Sequence, residues 1–298
     1  MDGGGLDPPC HAGISGSLNR MDTRFWGPSG WRLLHLISFQ APALPASELE
    51  TFFTHLPYVL PCKYCRASLT DYIHADPIPQ RKKDHAAWMY RIHNRVSGKL
   101  REQKLLTTSD PTWREIHGRY TEWIAAPCTS QQMLGWDFLF SVAYTTPSPH
   151  VASLPMPGAP PAAALPTPAL LNRWNLLPRE KRLPFLQRWW DVLGEVLPFE
   201  GWRQAWASAI TRHGRAPVRA GRKAVTAWLY RVECHVCQQL RESVPHNSFE
   251  GLCSELSAFS SGCGKSKRSK TCRATKGAVR KTLKHRRHRT YKATGGYL

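Results

Sequence analysis

The chain has 298 residues, 42 % of them hydrophobic, with 12 Trp, which is enough for two modest domains with real cores and excludes a wholly disordered chain. Its formal charge of +20 is uneven: 13 of the 41 Lys/Arg lie in residues 265–298, which carry no Asp or Glu, leaving 28 basic against 21 acidic residues upstream. No run of about 18 apolar residues occurs, so no membrane span is expected. Met1-Asp-Gly-Gly-Gly-Leu-Asp-Pro-Pro lacks the positive and apolar regions of a secretory signal, which points to a cytoplasmic location.

The first 20 residues are Gly-rich and aperiodic and read as a flexible lead. From Arg24 the pattern turns helical, with Trp31, Leu34, His35 and Ser38 on one face. Pro42 and Pro45 end this helix. A second is expected from Ser47, as N-cap, to about Leu60, with Glu48 and Glu50 in its first turn. Pro61 opens a third, carrying Cys62, Cys65, Leu69, Tyr72 and Ile73; a fourth spans Asp84 to Gln103, with Trp88, Ile92, Val96 and Leu100 at helical spacing. Strand signals are nearly absent, so the expected fold is all-α, beginning with a small helix bundle over 21–127. Residues 146–168 hold eight prolines and read as a stiff linker or long loop. Helical patterning resumes over 183–197, 202–210 and 225–240. Residues 253–298 read as a basic, disordered tail.

Three blocks recur in order. Trp31-Arg-Leu-Leu-His35 returns as Trp136-Asp-Phe-Leu-Phe140, Leu60-Pro-Cys-Lys-Tyr-Cys65 as Leu197-Pro-Phe-Glu-Gly-Trp202, and Ala87-Trp-Met-Tyr-Arg91 as Ala227-Trp-Leu-Tyr-Arg231. Residues 128–252 are therefore expected to be a degenerate helical repeat of the first unit, interrupted by the Pro/Ala segment.

Nine cysteines are too few for a disulfide-built scaffold and odd in number. Cys62-Lys-Tyr-Cys65 is the sharpest signal. Two Cys three apart at a helix start meet free N–H groups and the positive end of the helix dipole, which lower a thiolate's pKa. Half of a zinc site, a thioredoxin-type pair and an inert buried pair are the competing readings. The only other CxxC, Cys234-His-Val-Cys237, lies far away in sequence, and no strands flank Cys62; no metal site is expected.

The motifs around this pair carry a family likeness. Arg24-Phe-Trp-Gly-Pro-Ser-Gly-Trp31-Arg-Leu-Leu-His35, the Leu60-Pro-Cys-x-x-Cys65 block and Trp88-Met-Tyr-Arg-Ile-His93-Asn94-Arg-Val96-Ser-Gly-Lys99 occur in order at suitable spacing. Over about residues 21–125 the chain resembles the Erv/ALR flavin-dependent sulfhydryl oxidases. The resemblance implies a four-helix bundle with an extra short helix and FAD among its helices. It assigns cofactor contacts to Gly27, Trp31 and His35 on the first helix, to His93, Asn94, Val96 and Lys99 on the fourth, and to Trp113, with Arg24 and Tyr72 as weaker candidates. An aromatic ring and an imidazole would sandwich the adenine, and Lys99 would offer a cation to phosphate or flavin. Trp31, Trp88 and His35, taken one at a time, read equally well as core residues.

The likeness also implies a mechanism. A substrate dithiol would exchange with a Cys62–Cys65 disulfide, Cys62 forming the mixed disulfide and Cys65 passing electrons to FAD, with O2 as final acceptor and hydrogen peroxide as product. In the second unit the chemical positions become Phe199, Trp202, Phe140, Glu233, Cys234 and Gln239, so one active site per chain is expected. Candidates for a shuttle pair are Cys10, Cys234/Cys237, Cys253, Cys263 and Cys272; mid-helix spacing makes Cys234/Cys237 read as structural. Expected partners are dithiol proteins and O2, with a second copy of the chain also a candidate. The basic tail suggests nucleic acid or an anionic surface, and a nucleic-acid- or virion-associated binding protein is the competing function. The doubled layout resembles that of oxidases from large DNA viruses, which would place the protein in host cytoplasm and virion.

Overall fold

In a computed structural model, residues 21–126, 132–148, 150 and 152–259 are described; the N-terminal lead, Cys10, Cys263, Cys272 and the rest of the basic tail, residues 260–298, lie outside them. The described residues are helical, with no β-strand. Helices α1 (Thr23–Gln40), α2 (Ala46–Val59), α3 (Lys63–Ala75), α4 (His85–Glu102) and α5 (Trp113–Ala125) form a first unit. Helices α6 (Trp136–Tyr144), α7 (Pro168–Arg173), α8 (Arg179–Val196), α9 (Glu200–His213), α10 (Arg222–Leu240) and α11 (Phe249–Phe259) follow.

Local sequence explains most of the ends. Asp22 caps α1, its carboxylate accepting from the Arg24 N–H at 2.9 Å. Pro45, not Ser47, holds the N-cap position of α2; Ser47 instead donates to Glu48 at 2.5 Å inside the first turn. Thr112 and Glu115 form a reciprocal capping box at the head of α5. Helix α11 runs through Phe259, past the point at Cys253 where the sequence reads as tail. Leu252, Cys253 and Leu256 are buried there, and Phe259 stacks on Phe25 at 4.4 Å.

The two units use matched contacts. Arg66 donates to the Leu60 carbonyl at 2.9 Å, and Arg203 to Leu197 at 2.8 Å. The Trp88 indole N–H donates to the Asp76 carbonyl at 2.9 Å, and Trp228 to Gly214 at 2.9 Å. Phe53 meets Trp88 edge-on at 5.3 Å, and Trp190 meets Trp228 edge-on at 5.4 Å. The two indole bonds tie the end of the helix after each Leu-Pro step to the next long helix.

The units join along α1–α6 and α2–α8. Phe52 of α2 stacks on Trp189 of α8 at 5.3 Å. Gly30 lies under Phe138, where an added Cβ would sit 3.2 Å from the ring; Gly135 lies under Leu33, where it would sit 2.7 Å from a methyl. The glycines occupy corresponding places in the repeated Trp-x-x-Leu blocks, one residue before the Trp, and let α1 and α6 approach closely. The buried aromatic and aliphatic side chains of both units form one continuous core.

The Pro/Ala segment is not a free spacer. Leu154, Pro155 and α7 lie on α3 and the end of α2: Lys63 donates to the Leu154 and Pro155 carbonyls, Arg173 forms a two-pronged pair with Asp71 at 2.5 and 2.9 Å, and Asn172 donates to the Pro57 carbonyl of α2 at 2.9 Å. No helix among the described residues is long and apolar enough to cross a membrane.

Candidate active site

Cys62 is the N-cap residue of α3, in extended conformation, and Cys65 lies in the first turn. Both are thiols in this structure, Cys62 buried and Cys65 partly exposed. A hydrogen bond from Cys65 to the Cys62 sulfur is the largest influence on Cys62. The backbone N–H groups of Cys65 and Tyr64 and the charge of Arg66 act in the same direction. Together they overcome burial and lower the thiol from 9.0 to about 6. These N–H groups belong to the first turn of the helix, and a sulfur anion is what they stabilise. A thiol lowered to about 6 is mostly thiolate at neutral pH.

A chain of rings lies between α1, α4 and α5. His35 and His93 share a hydrogen bond of 2.9 Å between Nε2 and Nδ1. Trp31 stacks face to face on His93 at 3.9 Å and 10°. Tyr120 stacks on His35 at 5.0 Å, Phe39 on Tyr120 at 5.2 Å, and Trp113 on Phe39 at 5.9 Å. Burial holds His35 well below the ordinary histidine range, with the charge of His93 adding to it, and lowers His93 to about 4. Both imidazoles are therefore neutral at pH 7, surfaces for stacking and hydrogen bonding rather than cations.

The residues singled out from sequence divide into groups. Trp31, His35 and His93 come together in the ring chain, and Trp113 terminates it, 36 % exposed. Lys99 and Tyr72 join α3 to α4: Lys99 donates to the Ser68 hydroxyl at 2.6 Å, and Tyr72 to the Arg95 carbonyl at 3.5 Å. Asn94 and Val96 are partly exposed on α4, and the Asn94 amide has no hydrogen-bond partner among the described residues. Gly27 opens onto space, with nothing within 4 Å of an added Cβ. Arg24 stands apart; its guanidinium, 74 % exposed, pairs with Asp22 at 2.5 Å.

Tyr120, Phe39 and Ser68 belong to this region and were not anticipated. Tyr120 lies seven residues after Trp113, on the same face of α5, so helical spacing carried a signal for it. Ser68 carried none. At Cys234/Cys237 burial moves both thiols up, Cys237 to about 12, so neither is a ready nucleophile. Cys253 is disulfide-bonded. No cluster of three metal-ligating side chains occurs among the described residues.

Residues fit for a planar, anionic cofactor are present. His35 Nδ1 is buried without a hydrogen-bond partner, the Asn94 amide is unused, Gly27 faces open space, and Lys99 supplies a partly exposed cation.

Comparison with known proteins falls on this unit. Residues 28–118 match the model of the Erv1 / Alr family. The chain is 31 % identical over 88 residues to the mitochondrial FAD-linked sulfhydryl oxidase ERV1 of Saccharomyces cerevisiae, covering 28 % of this chain and 47 % of that protein. It is 31 % identical over 85 residues to the probable FAD-linked sulfhydryl oxidase R368 of Acanthamoeba polyphaga mimivirus, covering 26 % of this chain and 59 % of that one. The chain thus spans about half the length of the curated relatives it matches. No solved structure matches the chain. The match to the Erv1 / Alr family model thus falls on the segment that carries the cysteine pair at a helix start and the Trp31–His93–His35 ring contacts.

Proposed function

We propose that the protein is an FAD-linked thiol oxidase that makes disulfides in protein substrates, with Cys62 and Cys65 as its redox pair. The observation that carries this reading is the lowered pKa of Cys62, about 6, at the N-terminus of α3. In the oxidised pair a substrate thiolate attacks the Cys62 sulfur and the Cys65 sulfur leaves. The second substrate thiol, deprotonated, then attacks the substrate sulfur of the mixed disulfide. A substrate disulfide forms and Cys62 departs as a thiolate. Leaving-group ability rises as pKa falls, so the N–H groups at Cys62 favour this second step. Two substrate thiols are oxidised and the Cys62–Cys65 disulfide is reduced.

Returning the pair to its disulfide removes two electrons and two protons. FAD, bound by Trp31, His35, His93, Asn94 and Lys99 with Gly27 leaving room, supplies the two-electron acceptor, and O2 is the terminal oxidant with hydrogen peroxide as product. The chain's own part is geometric and electrostatic. The Trp31, His35 and Tyr120 rings exclude water, and neutral imidazoles present hydrogen-bonding edges without a competing positive charge. Residues 132–259 are a degenerate second copy. Phe140 replaces His35, and the Glu233 carboxylate, at the position of His93, is held by His246 at 3.0 Å. That copy binds no flavin, and its packing on α1 and α2 makes it a built-in partner.

The test is an oxygen-consumption assay with dithiothreitol, run with the visible absorbance spectrum of the purified full chain. A yellow protein that consumes O2, and a Cys65→Ser variant that stays yellow but is inactive, are expected. A colourless wild type, or full oxidase activity in Cys65→Ser, rejects the assignment.

A further inference from the structure

The redox helix begins under a piece of chain that its counterpart in the second unit lacks. Lys63, between the two cysteines' positions and one residue after the N-cap, is only 5 % exposed. Glu200, which corresponds to it at the start of α9, is exposed. A long cation in the first turn of a helix would ordinarily reach into water. Lys63 instead donates to the carbonyls of Leu154 and Pro155, at 3.1 and 3.0 Å.

Asn175 holds the other end. Its Oδ1 accepts from Arg66 at 2.7 Å, and its Nδ2 donates to the Leu154 carbonyl at 2.6 Å, the same carbonyl that receives Lys63. The orientation of the amide is fixed, because a guanidinium can only donate. The Asn175 backbone has a φ of +57°, which Asn adopts more readily than most residues. The Met156 N–H donates to the Trp174 carbonyl at 2.9 Å and closes the loop on itself. One amide therefore ties the proline-rich stretch and the end of α7 to Arg66, just after the Cys62–Cys65 turn, and through the shared Leu154 carbonyl to Lys63 within it.

We propose that residues 152–175 form a strap that narrows the approach to Cys62, so that slim thiols are accepted and cysteines flush with a folded surface are rejected. Asn175 and Lys63 are positioning residues for this strap. Cys62 itself is 8 % exposed, and Leu154, 52 % exposed on the strap beside Lys63, offers an apolar contact to the residue next to a substrate cysteine. The favoured substrates are dithiols in extended or unfolded polypeptide. Proline suits the role, since a strap with few backbone states loses little entropy on docking. The inference uses the thiol-oxidase reading only to name the substrate; the strap's effect on access to Cys62 stands apart from it.

The full chain, reduced and desalted under anaerobic conditions, is alkylated with iodoacetamide or with a 5 kDa polyethylene-glycol maleimide, a size taken only as roughly that of a small folded domain. Modification of Cys62 is followed by peptide mass spectrometry over a range of pH. Asn175→Gly removes the side chain while keeping a residue at ease at positive φ. Losing charge-assisted hydrogen bonds of this kind raises the open population, and with it the bulky reagent's rate, about tenfold or more. Iodoacetamide is expected to change by less than about twofold, with an unmoved pH midpoint, because the sulfur's own hydrogen bonds are untouched. Lys63→Met, which keeps the buried length of the side chain, is expected to show the same selective gain. Unchanged bulky-reagent rates in both variants overturn the strap. So does an equal acceleration of both reagents with a shifted midpoint, which would make the contacts electrostatic and not steric. Neither readout uses flavin or O2, so failure of the oxidase reading would appear in the oxygen assay and not here.

Discussion

Removing the Cys65 sulfur tests the electrostatics of the redox pair most directly. The hydrogen bond from Cys65 is the largest influence on the Cys62 thiol, ahead of the opposing burial, the two backbone N–H groups and Arg66. Cys65→Ala deletes that donor, while Cys65→Ser keeps one. The midpoint of Cys62 in the alanine variant is expected to climb from about 6 to ~8, where burial is offset only by the helix start and Arg66. At pH 7 the thiolate fraction then falls from ~90 % to ~10 %. The more basic thiolate is also the better nucleophile, by roughly eightfold for a rise of ~2 at a Brønsted slope of ~0.45. The two effects nearly cancel in a rate measured at pH 7, so a single rate carries no information. The full pH profile of Cys62 alkylation, or thiolate absorbance in the ultraviolet, resolves them. The expected order of midpoints is wild type, then serine, then alanine. A wild-type midpoint in the ordinary thiol range, or an alanine variant that titrates with the wild type, would refute the reasoning.

Two further outcomes concern stability. Gly135→Ala should cost about 2–4 kcal/mol in urea unfolding, combining a left-handed backbone position with overpacking, since φ is +103° and the new Cβ would lie 2.7 Å from Leu33. Gly158→Ala, at φ +74° with open space around it, should cost only about 1–2 kcal/mol; equal losses would remove the α1–α6 contact from the account. The second expectation concerns pH. Burial opposes the charging of His246, but the Glu233 hydrogen bond and the charges of Glu233, Glu255 and Asp137 outweigh it and raise its pKa. Burial also raises Glu233, and moves Asp137 from 3.8 to about 6. The folded state therefore binds more protons than the unfolded one. The Asp137 contribution is present below 3.8 and fades as pH rises through about 6; the His246 contribution is present below 6.5 and fades through its raised value. The wild-type Tm should exceed that of His246→Gln by more at pH 5.5 than at pH 8.5, and a difference independent of pH would contradict the cluster.

Much of the first unit is written in short-range pattern. Apolar spacing gives α1, α3 and α4 to within a residue or two, and Pro61 with Cys62 marks the start of the redox helix. The recurrence of Trp-x-x-Leu, Leu-Pro and Ala-Trp-x-Tyr-Arg marks a second set of helices, which the matched hydrogen bonds of Arg66 with Arg203 and of Trp88 with Trp228 join in matching places. These features are legible because a helix start, a cap and a repeating face depend on residues a few positions apart.

The rest depends on pairs that no local pattern relates. His35 and His93 are 58 residues apart, and folding brings them to a 2.9 Å hydrogen bond with Trp31 stacked on His93. The proline-rich segment reads as a spacer because proline lacks a backbone donor and discourages helices. Its own carbonyls remain good acceptors, and Lys63, 91 residues earlier, takes two of them. The sequence by itself determines that Cys62 stands at a helix N-terminus, where N–H groups favour its thiolate. Only the tertiary structure decides what lies above that helix, because the strap is held by cations and an amide whose partners folding alone brings within reach.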